Sequence, residues 1–313
     1  MKRVLVVHFS QTGQLRRVAE SVCAPLAAAP DVELHWLALE PVKPYPFPWP
    51  LLDFFDQFPE AVHGVPPALK PLAVPGGKFD LVILAYTVWF LSPVPPMAAF
   101  LKSDQGRSVL RDTPVVTLVA CRNMWLQAQD DVRTLLAAAG ARHSDNIVLT
   151  DTGSALATFI TTPRWMLTGR SDPVWGFPAA GIRAEDIAAA SRFGRALLPA
   201  LRDGSLDGRR PVLAGLKAST ADERLIASER IGRRSFFIWG HLVRRFGPPG
   251  AWARKPVLLV YITFLVAMIV TVVPVTMLLR ALLRPLGGRR LSLLKHHYES
   301  PSGSGSERMA EFS

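Results

Sequence analysis

Several short runs in this chain are apolar at nearly every position rather than at alternate ones, and this constrains the fold more than any other feature. The runs are "RVLVVHFS" (3–10), "VELHWLALE" (32–40), "KFDLVILAY" (78–86), "TPVVTLVAC" (113–121) and "HSDNIVLTD" (143–151). A strand that buries both faces lies inside a parallel sheet covered by helices on each side. Helical spacing fills the gaps: "QLRRVAESVCAPLAAA" (14–29), "PPMAAFLKS" (95–103), "QAQDDVRTLLAAAG" (127–140) and "AEDIAAASRFGRALLPAL" (184–201). The alternation predicts a doubly wound α/β domain over residues 1–205. Ligands in such sheets bind beyond the carboxyl ends of the strands, where the winding direction reverses.

Two segments interrupt the pattern. Residues 41–77 hold prolines that suppress regular structure and the aromatics Tyr45, Phe47, Trp49, Phe54, Phe55 and Phe58. Residues 152–181 bring Arg164, Trp165, Arg170, Trp175 and Phe177. Both are expected as insertions near the mouth of the sheet, functional lids or surface packing being equally open.

Charge is unevenly spread. The chain has 36 Lys and Arg and 25 Asp and Glu, of which 19 and 18 fall in residues 1–205, leaving 17 and 7 for residues 206–313. The excess therefore belongs to the last third, which argues against nucleic acid as its partner. There, "PVLLVYITFLVAMIVTVVPVTMLL" (256–279) carries no charged side chain. As a helix rising about 1.5 Å per residue it is long enough for a membrane span, whereas an uncharged core helix seldom exceeds about 14 residues.

Arg244, Arg245, Arg254 and Lys255 precede this stretch, and Arg280, Arg284, Arg289, Arg290 and Lys295 follow it. Such flanks favour anionic headgroups but leave orientation balanced. A single span, or a segment lying in one leaflet and bent at Pro274, are both open. A double-crossing hairpin is too short in each arm. The start of the chain lacks a signal-peptide pattern, so the first domain is expected at the cytoplasmic face of the inner membrane, anchored by 256–283. Residues 206–255 read as a basic linker in which 233–254 is a candidate amphipathic helix. Residues 284–313 read as basic, then as a polar flexible tail. The two cysteines, Cys23 and Cys121, have no disulfide or metal-ligand spacing, and no metal site is expected.

The loop "SQTGQL" (10–15) joins the first strand to the first helix. Hydroxyls, an unhindered glycine and helix N–H groups suit a phosphate there, although a plain helix cap has the same composition. It is neither a Walker sequence nor GxGxxG, which disfavours a nucleoside triphosphate or a Rossmann dinucleotide. The third strand ends in "YTVWF" (86–90) and the fourth in "ACRNMW" (120–125).

With these three loops the chain resembles the flavodoxin-like family over about residues 1–202. The resemblance implies a five-stranded parallel sheet in the order 2-1-3-4-5 and flavin mononucleotide (FMN) as cofactor. Ser10, Thr12, Gly13 and Gln14 would hold the flavin phosphate, with Thr87 assisting. Trp89, on an exposed turn, would stack on one ring face, and Arg122, Asn123 and Trp125 would approach the other face or the pyrimidine edge. Leu15 departs from the family's usual Thr. A positive side chain beside the ring would favour the anionic reduced flavin.

The pattern "HFSQTGQL…CAPL…PYPFPWPLLDFFDQFPE" with a basic, apolar C-terminal segment is similar to bacterial proteins labelled dialkylresorcinol condensing enzymes, found with aryl polyene biosynthesis. That resemblance implies a lipophilic dialkylcyclohexanedione as substrate and ketosynthase or acyl-carrier partners. Aromatising such a dione removes two hydrogens, which suits a flavin. Condensation would need a Cys nucleophile with His partners, and Cys121 in "VACRN" has none in sequence. The expectation is thus a membrane-associated FMN-dependent oxidoreductase, with Tyr86, His63 and His143 as unordered candidates for the base. An NAD(P)H-dependent quinone or FMN reductase, an electron-transfer flavoprotein and a flavin-free membrane scaffold stay open, and the flavodoxin-like resemblance implies a homodimer.

Overall fold

The computed structural model of the chain describes residues 1–283 and 288–312, without the side chains of 155, 156 and 272–290. Its centre is a parallel sheet of β1 (Lys2–His8), β2 (Val32–Ala38), β3 (Leu81–Tyr86), β6 (Pro114–Cys121) and β7 (Arg142–Thr150), ordered β2-β1-β3-β6-β7. Between β3 and β6 lies a small antiparallel pair, β4 (Val88–Trp89) with β5 (Ser92–Pro93). Apart from that pair, the order is the 2-1-3-4-5 expected from the sequence. Every residue of β3 and β6 is buried, which is why these strands read as unbroken apolar runs.

Helices cover both faces. On one, α1 (Gln14–Ala27) buries Leu15, Val18, Ala19, Val22, Cys23 and Leu26, a helical stripe, against α9 (Ser191–Asp203). The predicted helix 184–201 is divided into α8 (Ala184–Ala189) and α9 at Ala190. The other face is covered by α4 (Pro95–Lys102), α5 (Asp104–Leu110) and α6 (Leu126–Ala138). The first insertion contributes α2 (Leu51–Phe55) and α3 (Phe58–Val62). The second is more regular than its composition suggests, with α7 (Ala155–Thr168) capped by the Ser154 hydroxyl.

The C-terminal third is built into this body rather than strung behind it. Leu206, Leu213, Leu216 and Ala218 complete the α1/α9 core. Helix α10 (Glu223–Arg244) lies on α3 and α6, and α11 (Arg254–Leu283) begins beside it. Phe58, Val62, Val243, Leu258 and Tyr261 form a separate apolar cluster there. Arg254, fully buried, pairs with Asp56 at 3.0 Å and Glu60 at 3.0 Å, and Asp56 also accepts the Gly250 N–H at 2.5 Å.

Helix α12 (Gly288–Glu299) follows α11, and residues 300–312 do not form the loose tail expected from their composition. The Ser302 hydroxyl donates to Asp145 at 2.9 Å and accepts the Asn146 N–H at 2.7 Å. Asp145 takes two further N–H donors, from Val212 and Leu213, and burial pushes its carboxyl up to about 6. Residues 217–219 run along the β7 edge, where the Ala218 carbonyl accepts the Val148 N–H, and the Gly303 and Gly305 carbonyls accept the Ser219 and Lys217 N–H groups from outside. Arg284 lies outside the described residues.

Candidate functional site

The three candidate loops leave adjacent strands β1, β3 and β6 at their carboxyl ends, so the fold brings them to one rim. In the first, Gly13 adopts φ +78° and caps α1, a left-handed conformation that a side chain would strain although space is open. Ser10 Oγ accepts the Arg16 N–H at 3.3 Å and Thr12 Oγ1 accepts the Gln14 N–H at 3.4 Å. Among the described residues the N–H groups of Gln11, Thr12, Gly13 and Leu15 have no protein acceptor. That set of donors at a helix start fits a phosphate.

The side chains on either side of Thr12 and Gly13 face elsewhere. Gln11 accepts the Trp49 indole N–H and donates to the Pro46 carbonyl, both at 2.9 Å. Gln14 donates to the Ile182 carbonyl at 3.4 Å, so its amide braces the second insertion. Leu15 is buried in the α1/α9 core. The two insertions also meet each other, through the Trp49 N–H and the Met166 carbonyl at 2.8 Å.

After β3, the Thr87 carbonyl accepts the Val94 N–H at 3.0 Å, closing the turn that holds Trp89. Trp89 is not on an exposed turn: it is 8% exposed and packs edge-on against Phe9, Tyr45 and Trp49, with ring centroids 5.1–6.1 Å away. The aromatic first insertion claims its faces. Phe90 and Leu91 sit at φ +50° and +60°. Non-glycine residues rarely hold that conformation, and the strain concentrates beside the rim.

After β6, Met124 is likewise at φ +57°. Trp125 is buried at the start of α6 and offers no free ring face. The Asn123 carbonyl accepts the Cys121 thiol at 3.6 Å. Arg122 lies 4.2 Å above the Phe159 ring, and its Nε is buried without a hydrogen-bond partner. Burial holds its pKa below the ordinary guanidinium value, against the pull of Asp151. The Arg122 guanidinium therefore retains an unused donor at the rim. The residues present suit the phosphate end of FMN, and Arg122 suits an acceptor edge of its ring; the two indoles do not serve as stacking platforms.

None of the expected bases opens onto the rim. Tyr86 is wholly buried and donates to Gln129, with burial raising its pKa well above the phenol range. His143 lies at the opposite end of the sheet, bonded to Thr117 at 3.0 Å and driven down to about 4 by burial. His63 packs on Phe237 between α3 and α10.

Three residues that sequence reasoning missed do reach the loops. Asp151 follows β7, and its carboxylate accepts the Gly153 and Gly181 N–H groups at 2.8 and 2.7 Å. Arg233 of α10 donates to the Leu91 carbonyl at 2.6 Å and the Ser92 hydroxyl at 2.9 Å, and pairs with Asp131 of α6 at 2.6 Å. One turn earlier, fully buried Glu229 accepts the Gln127 N–H at 3.1 Å, while its other oxygen has no hydrogen-bond partner. Burial pushes the Glu229 carboxyl up to about 8 although two amides at the α6 start favour its charged form. Helix α10 thus grips the turn after β3 and the first turns of α6, the helix that follows the β6 loop. Only its tertiary position reveals this, since Glu229 and Arg233 lie in a stretch that reads as a surface helix.

A cleft of about 320 Å³ opens on the β2 side of the first loop, lined by His8, Ser10, Gln11, Glu40, Tyr45 and Lys70 among others. His8 is 4% exposed with neither ring nitrogen bonded, and burial lowers its pKa.

No family model and no curated protein matches this chain. Among solved structures it is similar to a flavoprotein in complex with FMN from Lactobacillus acidophilus, at 16% identity over 47% of this chain and 92% of that one, TM-score 0.38. It is also similar to a Trp repressor binding protein from Bacillus subtilis, at 11% identity over 61% and 98%, TM-score 0.32. For an azoreductase the values are 13% identity over 65% and 99%, TM-score 0.31.

Proposed function

We propose that the chain is a flavin-dependent oxidoreductase that holds FMN by its phosphate at loop 10–15. The observation that carries this reading is the first loop: Ser10 and Thr12 hydroxyls, left-handed Gly13 and four unpartnered N–H groups converge at the start of α1, on a sheet wound in flavodoxin order. The bound flavin would supply hydride acceptance. The chain's own groups would supply the rest: Ser10 and Thr12 the phosphate contacts, the unused Arg122 donor a contact to the pyrimidine edge, and the Phe90–Leu91 and Met124 turns the ring-facing backbone.

The finer reading is a membrane-associated aromatase that takes a dialkylcyclohexanedione to a dialkylresorcinol, a two-hydrogen oxidation for which a bound flavin would supply the acceptor. The apolar stretch in α11, the two aromatic insertions and the sequence resemblance support it. Ketosynthase or acyl-carrier partners belong to the same reading. Burial of Trp89 and Trp125 favours one rival, a flavin-free scaffold. Detergent-purified protein tests the cofactor: flavin absorbance bands that disappear in a Ser10→Ala, Thr12→Ala double variant support the site. Colourless protein that leaves added FMN unbound overturns it. Turnover of a dialkyl dione by the flavin-loaded protein tests the substrate, and NAD(P)H–quinone turnover without dione turnover selects the reductase.

A further inference from the structure

How α11 meets a bilayer is decided by what the chain does on either side of it. Before it, α10 is fixed to the sheet domain through Glu229 and Arg233, and the first residue of α11, Arg254, is paired with Asp56 and Glu60 of the first insertion. After it, α12 and residues 300–312 return to that same domain. Gln127 donates to the Tyr298 hydroxyl at 2.9 Å, Arg133 donates to the His297 carbonyl at 2.8 Å, and Glu299 accepts the Ala221 N–H at 3.0 Å. Ser302 is buried against Asp145 and Asn146.

A helix that crosses a membrane leaves its flanks on opposite faces, about 30 Å of hydrocarbon apart. Here both flanks belong to one folded body. A return crossing is also closed, because α12 would have to make it with Arg289, Arg290, Lys295, His296 and His297 along its length.

The outer surface of this hairpin suits the alternative. Leu258 and Tyr261 of α11 are turned inward, whereas Leu259, Val260, Val266 and Val270 are exposed. On α10, Ile231, Ile238 and Leu242 recur at helical spacing and are exposed, flanked by exposed Arg230, Arg234 and Arg245. Trp252, 80% exposed, and Phe246 stand at the turn between the helices. From Arg224 to Lys255 the sole acidic side chain is Glu229, which is buried. An apolar stripe bordered by arginines without acids matches an anionic lipid leaflet.

We infer that the chain is monotopic: the exposed faces of α10 and α11 lie in the plane of a single anionic leaflet, and α11 does not cross it. This rests on the membrane attachment within the proposed function and is independent of the flavin.

The test uses the full chain with an epitope tag after residue 313 in sealed, cytoplasm-side-out vesicles. Protease added outside removes the tag as completely as it digests the sheet domain. A tag protected until detergent is added overturns the inference while leaving attachment intact; protein that stays in the soluble fraction overturns attachment as well. In a second arm, Ile238→Asp with Leu242→Asp lowers co-sedimentation with phosphatidylglycerol-containing vesicles at least ten-fold. Arg234→Glu with Arg245→Glu lowers it on those vesicles but not on pure phosphatidylcholine. Unchanged sedimentation, or a dimer of the purified chain that the aspartate pair dissociates, assigns this face to something other than lipid and overturns the inference.

Discussion

Leu15 shows how one side chain limits a site. Its position follows Gln14 in loop 10–15, but its side chain is buried beneath the sheet with Val18 and Val22. Leu15→Thr should therefore not tighten FMN binding; it should remove core contacts and bury a hydroxyl, costing about 2 kcal/mol by thermal or urea unfolding. Ser10 and Thr12, by contrast, face helix N–H groups at the rim. Losing both hydroxyls, at about 1 kcal/mol each, should weaken FMN roughly thirty-fold in a fluorescence-quenching titration. Glu229 gives a pH signature. Its folded pKa of about 8 lies above the ordinary value of 4.5, so its contribution to stability is fully present below about pH 4.5 and is lost as pH rises through 8. Asp145, at about 6, acts lower down. Between pH 6.5 and 9 the melting temperature should fall for the parent protein and fall less for Glu229→Gln, read by fluorescence in detergent.

The elements that build the sheet were the most legible part of the chain, because a run such as "LVILAY" is apolar on both faces for the same reason that it is buried on both. Helix α1 was legible from its stripe. The insertions were not, since the positions of Tyr45 and Trp49 depend on contacts with Trp89 that lie about forty residues away in sequence. That same packing hid the burial of Trp89, which a local reading places on a turn. The candidate amphipathic stretch 233–254 overlaps only the second half of α10, which starts ten residues earlier and ends at Arg244, and the partners of its buried face were invisible. Replacing Arg233 with Met should release the Leu91 carbonyl and Asp131 together, and raise amide exchange across 87–93 about ten-fold or more while leaving β1 unchanged; Arg233→Lys should restore part of the protection. Arg254→Ala leaves buried Asp56 with only the Gly250 N–H and Glu60 with only the longer Arg244 contact. A loss of about 3–5 kcal/mol is expected, with protease cleavage appearing first near the start of α11.

At the scale of the whole molecule, the sequence suggested a catalytic domain followed by a linker, an anchor and a loose end. The structure instead gives one body in which residues 206–221 and 300–312 finish the sheet domain. Composition failed there because glycines and serines that look unstructured are also the residues that fit flat against a strand edge. Ser302→Ala should cost about 1–3 kcal/mol by leaving Asp145 and the Asn146 N–H short of a partner, measured by chemical unfolding of the intact chain. The outer edge of β7 is closed by segments far along the chain: the Ala218 carbonyl takes the Val148 N–H, and the Gly303 and Gly305 carbonyls take the Ser219 and Lys217 N–H groups in the next row. A margin closed in this way offers a second molecule no open strand to pair with, so damage to either segment should surface as aggregation before the sheet itself melts.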